Sequence, residues 1–210
     1  MTAQTKLSAP QLLEPIDLSL PLGSGDLLIQ VTDPTVFAQA HIEGAVLLSP
    51  AQLCCGVPPA VGKLPDIDSL HGALAGIGYH PDRRIIAYDD EGGGWAGKLL
   101  WVLDVIGHKH WAYLNGGLHA WAGAGKSLSH GTFQAQNTAA YFTLNINHQV
   151  IAEIEDVLQA ISDPEQIIWD VRSRDEYLGL RSGSARAGHI PGAVNPVSYT
   201  HLRAHETVVH

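Results

Sequence analysis

Cysteine is nearly missing from this chain: of 210 residues only Cys54 and Cys55 carry a thiol. Adjacent in sequence, they cannot staple distant segments, and they lack the C-x-x-C spacing of a redox or zinc pair. A disulfide framework and a zinc ribbon are therefore excluded. The plain reading is a pair of small, half-buried residues in a loop before Pro58 and Pro59; a vicinal redox pair is the sharper one, without further support in the sequence. Basic residues are scarce too. Twelve Lys+Arg face 21 Asp+Glu, for a formal net charge of −9, and no basic run stands out. That leaves no electrostatic footprint for nucleic acid or an anionic membrane surface. The 12 His add charge only at mildly acidic pH. No segment approaches about eighteen uninterrupted apolar residues, and Met1 to Glu14 shows no charged-then-apolar leader, so a cytoplasmic protein is expected.

What remains is an ordinary globular balance, 45% hydrophobic and 16% charged, with enough length for one large or two small domains. Asp26 to Val31 reads as a first strand. Asp33-Pro34 is a helix cap with proline at the first helical position, opening a short helix through Val36, Phe37 and Ala40. His41-Ile42-Glu43-Gly44-Ala45-Val46-Leu47-Leu48 turns into a second strand. After a proline- and glycine-rich loop over Pro50 to Pro65, Asp66 caps a helix whose Ile67, Leu70, Leu74 and Ile77 share one face. Ile85 to Tyr88 is a buried strand. A glycine-rich turn, Asp89-Asp90-Glu91-Gly92-Gly93-Gly94-Trp95, leads from it into a helix carrying Leu99, Leu103 and Ile106. Trp111 to Leu114 is a further strand, and Asn115-Gly116-Gly117 opens a helix with Leu118 and Trp121. Strands alternating with helices in this way predict a parallel sheet with helices on both faces.

The turn after Ile85 to Tyr88 is where ligands sit in such sheets. Its three consecutive glycines let several amides point inward beside the positive end of the next helix, which suits an anion. Gly92-x-x-x-x-Gly97-Lys98 also has phosphate-loop spacing. Leu99 stands where Ser or Thr would hold magnesium, however, and Asp89, Asp90 and Glu91 put negative charge beside the phosphate. A metal reading of those three acids requires consecutive residues of an extended loop to converge on one ion, and no metal is expected.

Gly123 to about Asn147 is polar and irregular, as a linker or returning segment would be. The opening theme then returns. Ile151 to Ile161 has helical period, Gln166 to Val171 reads as a strand, and Asp175-Glu176-Tyr177 begins a short helix. Gly188-His189-Ile190-Pro191-Gly192-Ala193-Val194 nearly repeats His41 to Val46, with His189 lying 148 positions after His41. That is a domain's length, so a duplicated domain is predicted.

Asp170 to Ala193, with Asp-x-Arg, Tyr and Gly-His-Ile-Pro-Gly-Ala, resembles the opening signature of rhodanese domains. Leu114-Asn115-Gly116-Gly117-Leu118-His119-Ala120-Trp121 is similar to their closing motif, and Gly94 to Leu103 to the helix after their active-site loop. The chain thus resembles a tandem thiosulfate or 3-mercaptopyruvate sulfurtransferase. The resemblance implies a rhodanese-like α/β sheet, duplicated, with residues 1–124 a complete domain, 125–150 a linker and 151–196 the first part of an incomplete second copy. Residues 197–210 depart from the family pattern and resemble a translated adapter tail, an artefact; the alternative is a genuine polar C-terminal tail. It implies a cysteine directly after the central strand, where backbone amides stabilise a thiolate and the persulfide it carries. Asp89 holds that position here, so the first domain is expected to be silent. The second loop is absent, so this chain is expected to lack turnover. A small anionic sulfur donor is the implied partner, with no cofactor; a protein partner stays open. Arg172 and Arg186 could meet the donor in a cleft or be solvated or structurally paired. His41 and His189 suggest a hydrogen-bonding turn role, and Trp95, Trp101 and Trp121 core and interdomain packing. The competing class is a non-catalytic rhodanese-like module using the glycine-rich loop for an anion or a protein.

Overall fold

The computed structural model describes residues 11–133, 142–184 and 186–196. The tail at 197–210 and the middle of the expected linker lie outside the described residues. The chain divides into two compact units, Met1–Val150 and Ile151–His210.

The first unit is built on five parallel strands, β1 (Gln11–Leu13), β2 (Asp26–Val31), β3 (Val46–Leu48), β4 (Arg84–Tyr88) and β5 (Trp111–Leu114), in the order β1-β5-β4-β2-β3. Helices α1 (Pro34–Gln39), α2 (Ile67–Gly76), α3 (Gly94–Val105) and α4 (Gly117–Gly123) make the crossovers and the closing turn. Both caps read from the sequence form. The Asp33 carboxylate accepts the Thr35 amide at 2.7 Å, and Asp66 accepts that of Ser69 at 2.8 Å.

Strand side chains alternate between faces, so each strand feeds two cores. Leu27, Ile29, Val31, Ile85 and Ala87 pack under α2 and α3 through Leu70, Leu74, Leu99 and Leu103. Leu28, Ile86 and Tyr88 meet Leu118 and Trp121 of α4 on the other side. Because both faces are covered, the strands read as continuous apolar runs. Ile67 departs from its expected place: it opens α2 in solvent, 52% exposed, while Leu70, Leu74 and Ile77 turn inward. The segment after α4 returns to this unit. Ser129 bridges His41, and Phe142 stacks on His71 and meets Tyr79 edge-on.

Tyr79 and His108 form a buried polar contact, Tyr79 Oη lying 3.0 Å from His108 Nδ1, while His108 Nε2 lies 3.1 Å from the His110 carbonyl. The carbonyl can only accept, so Nε2 carries the proton and Nδ1 accepts from the tyrosine. Burial pushes the His108 pKa below its ordinary 6.5 and lifts that of Tyr79 to about 12. Above pH 6.5 the imidazole is neutral folded and unfolded alike. As pH falls through 6.5 only the unfolded chain takes the proton, so this site loses stability on acidification. The urea midpoint should fall from pH 7 to pH 5 by less in His108→Gln than in the parent; equal falls would remove His108 from the account.

In the second unit, α5 (Ile154–Ser162) and α6 (Arg174–Tyr177) form. The strand expected over Gln166 to Val171 does not. It is reduced to one parallel bridge, Trp169 to Val194, and Ile167, Trp169 and Val171 are 71%, 66% and 70% exposed. The physical reason is the missing neighbour: β2 is held between β3 and β4, and among the described residues of this unit no strand takes the place of β4.

Candidate functional site

The sheet changes direction between β2 and β4, whose onward connections run to opposite edges, and Asp89 lies just past the end of β4. Gly92 and Gly93 take φ of +85° and +102°, values that residues with a Cβ avoid, and so curl the turn back on itself. Four amides consequently converge on one group. Asp89 Oδ1 accepts from Glu91 at 3.2 Å and Gly93 at 2.8 Å, and Oδ2 accepts from Trp95 at 3.0 Å and Ala96 at 2.9 Å. Asp89 is 1% exposed. Its negative charge also faces the N-terminus of α3, where the helix dipole favours an anion.

The turn is therefore an anion cradle, but its anion is the chain's own side chain. This corrects the expectation of a loop open to an external anion. It also removes the phosphate-loop reading. The amides that would hold phosphate are bonded to Asp89, and the Lys98 amine donates to the Gly62 carbonyl at 2.9 Å and lies over the Trp101 ring. Asp90 and Glu91 do not join Asp89 around an ion: no group of three or more candidate ligands converges among the described residues. Asp90 instead offers its carbonyl to His119 Nε2 at 2.8 Å.

Support comes from the closing motif, whose role in the sequence was legible only as a resemblance. The Asp89 carbonyl accepts the Leu118 amide at 2.9 Å. Gly117 packs so closely that a Cβ there would lie 2.2 Å from that carbonyl oxygen, and a Cβ on Gly93 would lie 2.7 Å from Tyr113 Oη. The glycine turn placed Gly117 at a helix start, but only the resemblance to a family motif singled out His119. Trp95 is half-buried against the α3 core, Trp101 donates to the Val150 carbonyl, and Trp121 is buried.

Arg172 and Arg186 lie in the second unit. Arg172 forks onto Asp170, Nε to Oδ1 at 2.9 Å and an Nη to Oδ2 at 2.6 Å, and also donates to the Gly188 carbonyl. Paired in this way it holds Asp170 below its ordinary pKa and serves the fold of its own loop. Arg186 is exposed. His41 and His189 occupy matching turns: His41 Nδ1 lies 2.8 Å from the Phe37 carbonyl with the two rings stacked at 4.1 Å, and His189 Nδ1 lies 2.7 Å from the Tyr177 carbonyl with its rings stacked at 3.7 Å.

The Rhodanese-like domain family matches residues 14–124 and 153–207. The chain belongs to the rhodanese family. Rhodanese relatives include the thiosulfate sulfurtransferases of Azotobacter vinelandii, 38% identical over 90% of this chain and 69% of that protein, and of Pseudomonas aeruginosa, 37% identical over 89% and 68%. A probable 3-mercaptopyruvate sulfurtransferase of Pseudomonas aeruginosa is 29% identical over 89% of the chain. The rhodanese fold is shared with a 3-mercaptopyruvate sulfotransferase from Escherichia coli, at TM-score 0.76 and 22% identity, over 90% of this chain and 75% of that one.

Proposed function

We propose that this chain is the silent first domain and the opening part of the second domain of a tandem, thiosulfate-type sulfurtransferase. The observation that carries the reading is the amide cradle at the end of β4. Backbone donors arranged around a buried anion at a helix N-terminus are what a sulfurtransferase needs to hold a thiolate and then a persulfide. In that chemistry the thiolate attacks the outer sulfur of thiosulfate, sulfite leaves, and cyanide or a thiol takes the sulfur from the persulfide. Asp89 supplies the charge but no sulfur, so the cradle of the first domain is occupied and inert. Thiosulfate is favoured over mercaptopyruvate as donor by the higher identity to the thiosulfate relatives.

The tandem arrangement draws support from repeated geometry. The bridge from Trp169 to Val194 matches the register of Ile29 on Val46, and the amides of Ala45 and Ala193 each bond the carbonyl three residues back at 3.0 Å. Gly44 and Gly192 take φ of +80° and +78° in the same turn, and the two histidines stack on Phe37 and Tyr177. A non-catalytic module binding free anions is disfavoured because the cradle is full.

The deciding assay is sulfite release from thiosulfate in the presence of cyanide, run on the 210-residue chain, on a Cys54→Ser, Cys55→Ser double variant and on Asp89→Cys. The first two should show no turnover, while Asp89→Cys should gain one sulfur, about 32 Da, on the peptide holding residue 89. Turnover in the parent that vanishes in the double variant would overturn the assignment of the cradle as the sulfur-carrying position.

A further inference from the structure

In the second unit the segment Gln166 to Val171 has one paired edge and one open edge. On the paired edge the Val194 amide donates to the Ile168 carbonyl at 2.9 Å and the Asp170 amide to the Val194 carbonyl at 2.8 Å. A parallel bridge of that form turns the amide and carbonyl of Trp169 the other way. Neither has a hydrogen-bond partner among the described residues. Burial alternates residue by residue, Ile168 and Asp170 half-buried while Ile167, Trp169 and Val171 are exposed, which is the period of an extended chain. Ile167 and Val171 therefore share the open side with Trp169.

An open edge is a template for another strand, and proteins blunt such edges with lysine, proline or a bulge. From Gln166 to Val171 there is neither lysine nor proline, and the one charge, Asp170, is forked by Arg172. The edge is also complementary to itself. Turned about a two-fold axis through Trp169, Ile167 of one copy falls opposite Val171 of the other, and Trp169 opposite Trp169, so every outward-facing pair is apolar. The ends match in charge. Asp163 and Glu165 lie before the edge, Arg172 and Arg174 after it; antiparallel pairing brings acidic ends to basic ends, whereas parallel pairing sets like beside like.

We propose that the open edge of this 210-residue chain is covered by the same edge of a second copy, antiparallel and centred on Trp169, in an isologous dimer. The amide and carbonyl of each Trp169 bond those of the other, the pattern of directly opposed residues in an antiparallel ladder. Ile167, Trp169 and Val171 of the two copies then form one apolar strip withdrawn from water. The dimer is independent of sulfur transfer and is read by mass alone.

The test is analytical ultracentrifugation of the full chain over a concentration series. The parent should pass from one chain to two as concentration rises and go no further, because a two-fold pair uses up both edges. Trp169→Lys should weaken association by about 100-fold, since one substitution removes a central aromatic from both copies and sets two like charges face to face. Trp169 is exposed in the single chain, so lysine there leaves the fold intact, which far-UV circular dichroism checks. Cross-linking in a Cys54→Ser, Cys55→Ser background reads the register. Ile167→Cys together with Val171→Cys should give a disulfide-linked dimer on mild oxidation, whereas Ile167→Cys alone should not, its twin lying about 13 Å away along the strand. A parent that stays monomeric, assemblies beyond two chains, or Trp169→Lys associating as tightly as the parent overturns the dimer; no link in the double variant, or an equal one in Ile167→Cys alone, overturns the register.

Discussion

Replacing Asp89 by alanine should destabilise the first unit by about 4 kcal/mol, the scale expected when a buried, charge-assisted cluster is removed. Each hydrogen bond to a charged acceptor contributes about 1.5–3 kcal/mol, and four amides lose theirs at once, though such contributions do not add in full. The amides of Glu91, Gly93, Trp95 and Ala96 would then face a space with no acceptor. Asp89→Asn keeps the shape but turns an NH2 group toward donors, so it should recover only part of the loss. Millimolar formate or acetate should refill the space and raise the melting temperature of Asp89→Ala without affecting the parent. A melting temperature for Asp89→Ala within a degree or two of the parent's would show that the cradle contributes little to stability.

Gly117→Ala should be nearly as costly, about 3 kcal/mol, for a steric reason. The new Cβ would lie 2.2 Å from the Asp89 carbonyl oxygen, which is backbone and cannot swing aside, and φ at Gly117 is +54°. To make room the chain must shift the Leu118 amide off Asp89, and with it the floor of the cradle. Gly97→Ala is the matched control. It lies in α3 with nothing within 4 Å of its Cβ, so it should be neutral or stabilise by up to about 1 kcal/mol. Denaturant midpoints of the two variants measured together settle the matter: similar values would mean that the close approach at Gly117 is relieved elsewhere.

The cradle was half legible in the sequence. Ile85 to Tyr88, three glycines and the stripe of α3 gave the strand, the turn and the helix, because each depends on local period or on glycine's conformational freedom. That the Asp89 side chain reaches amides two, four, six and seven positions onward depends on the curl at Gly92 and Gly93, which no periodicity reports. β1 escaped notice for another reason. Three residues at a sheet edge, with Leu12 59% exposed, carry too little pattern to separate from a polar lead, and their pairing with β5 is a long-range fact. The strand expected at Gln166 to Val171 erred the other way. Its apolar run is the sort a sheet interior accepts, but a strand exists only through its neighbours. Asp33 and Asp66 were read correctly because a cap is settled within three residues.

The filled cradle also bears on competition for substrate. Asp89 is joined to its amides by the chain itself, so its carboxylate acts at an effective concentration that no free anion in solution approaches. Sulfate, phosphate or the donor could enter only by displacing it, losing to a tethered rival at every ordinary concentration. A duplicated domain that kept an empty cradle would act as a sink, holding donor molecules where nothing can be done with them. In the tandem arrangement proposed above, a unit with its own anion in place would leave the whole pool of donor to whichever site can turn it over.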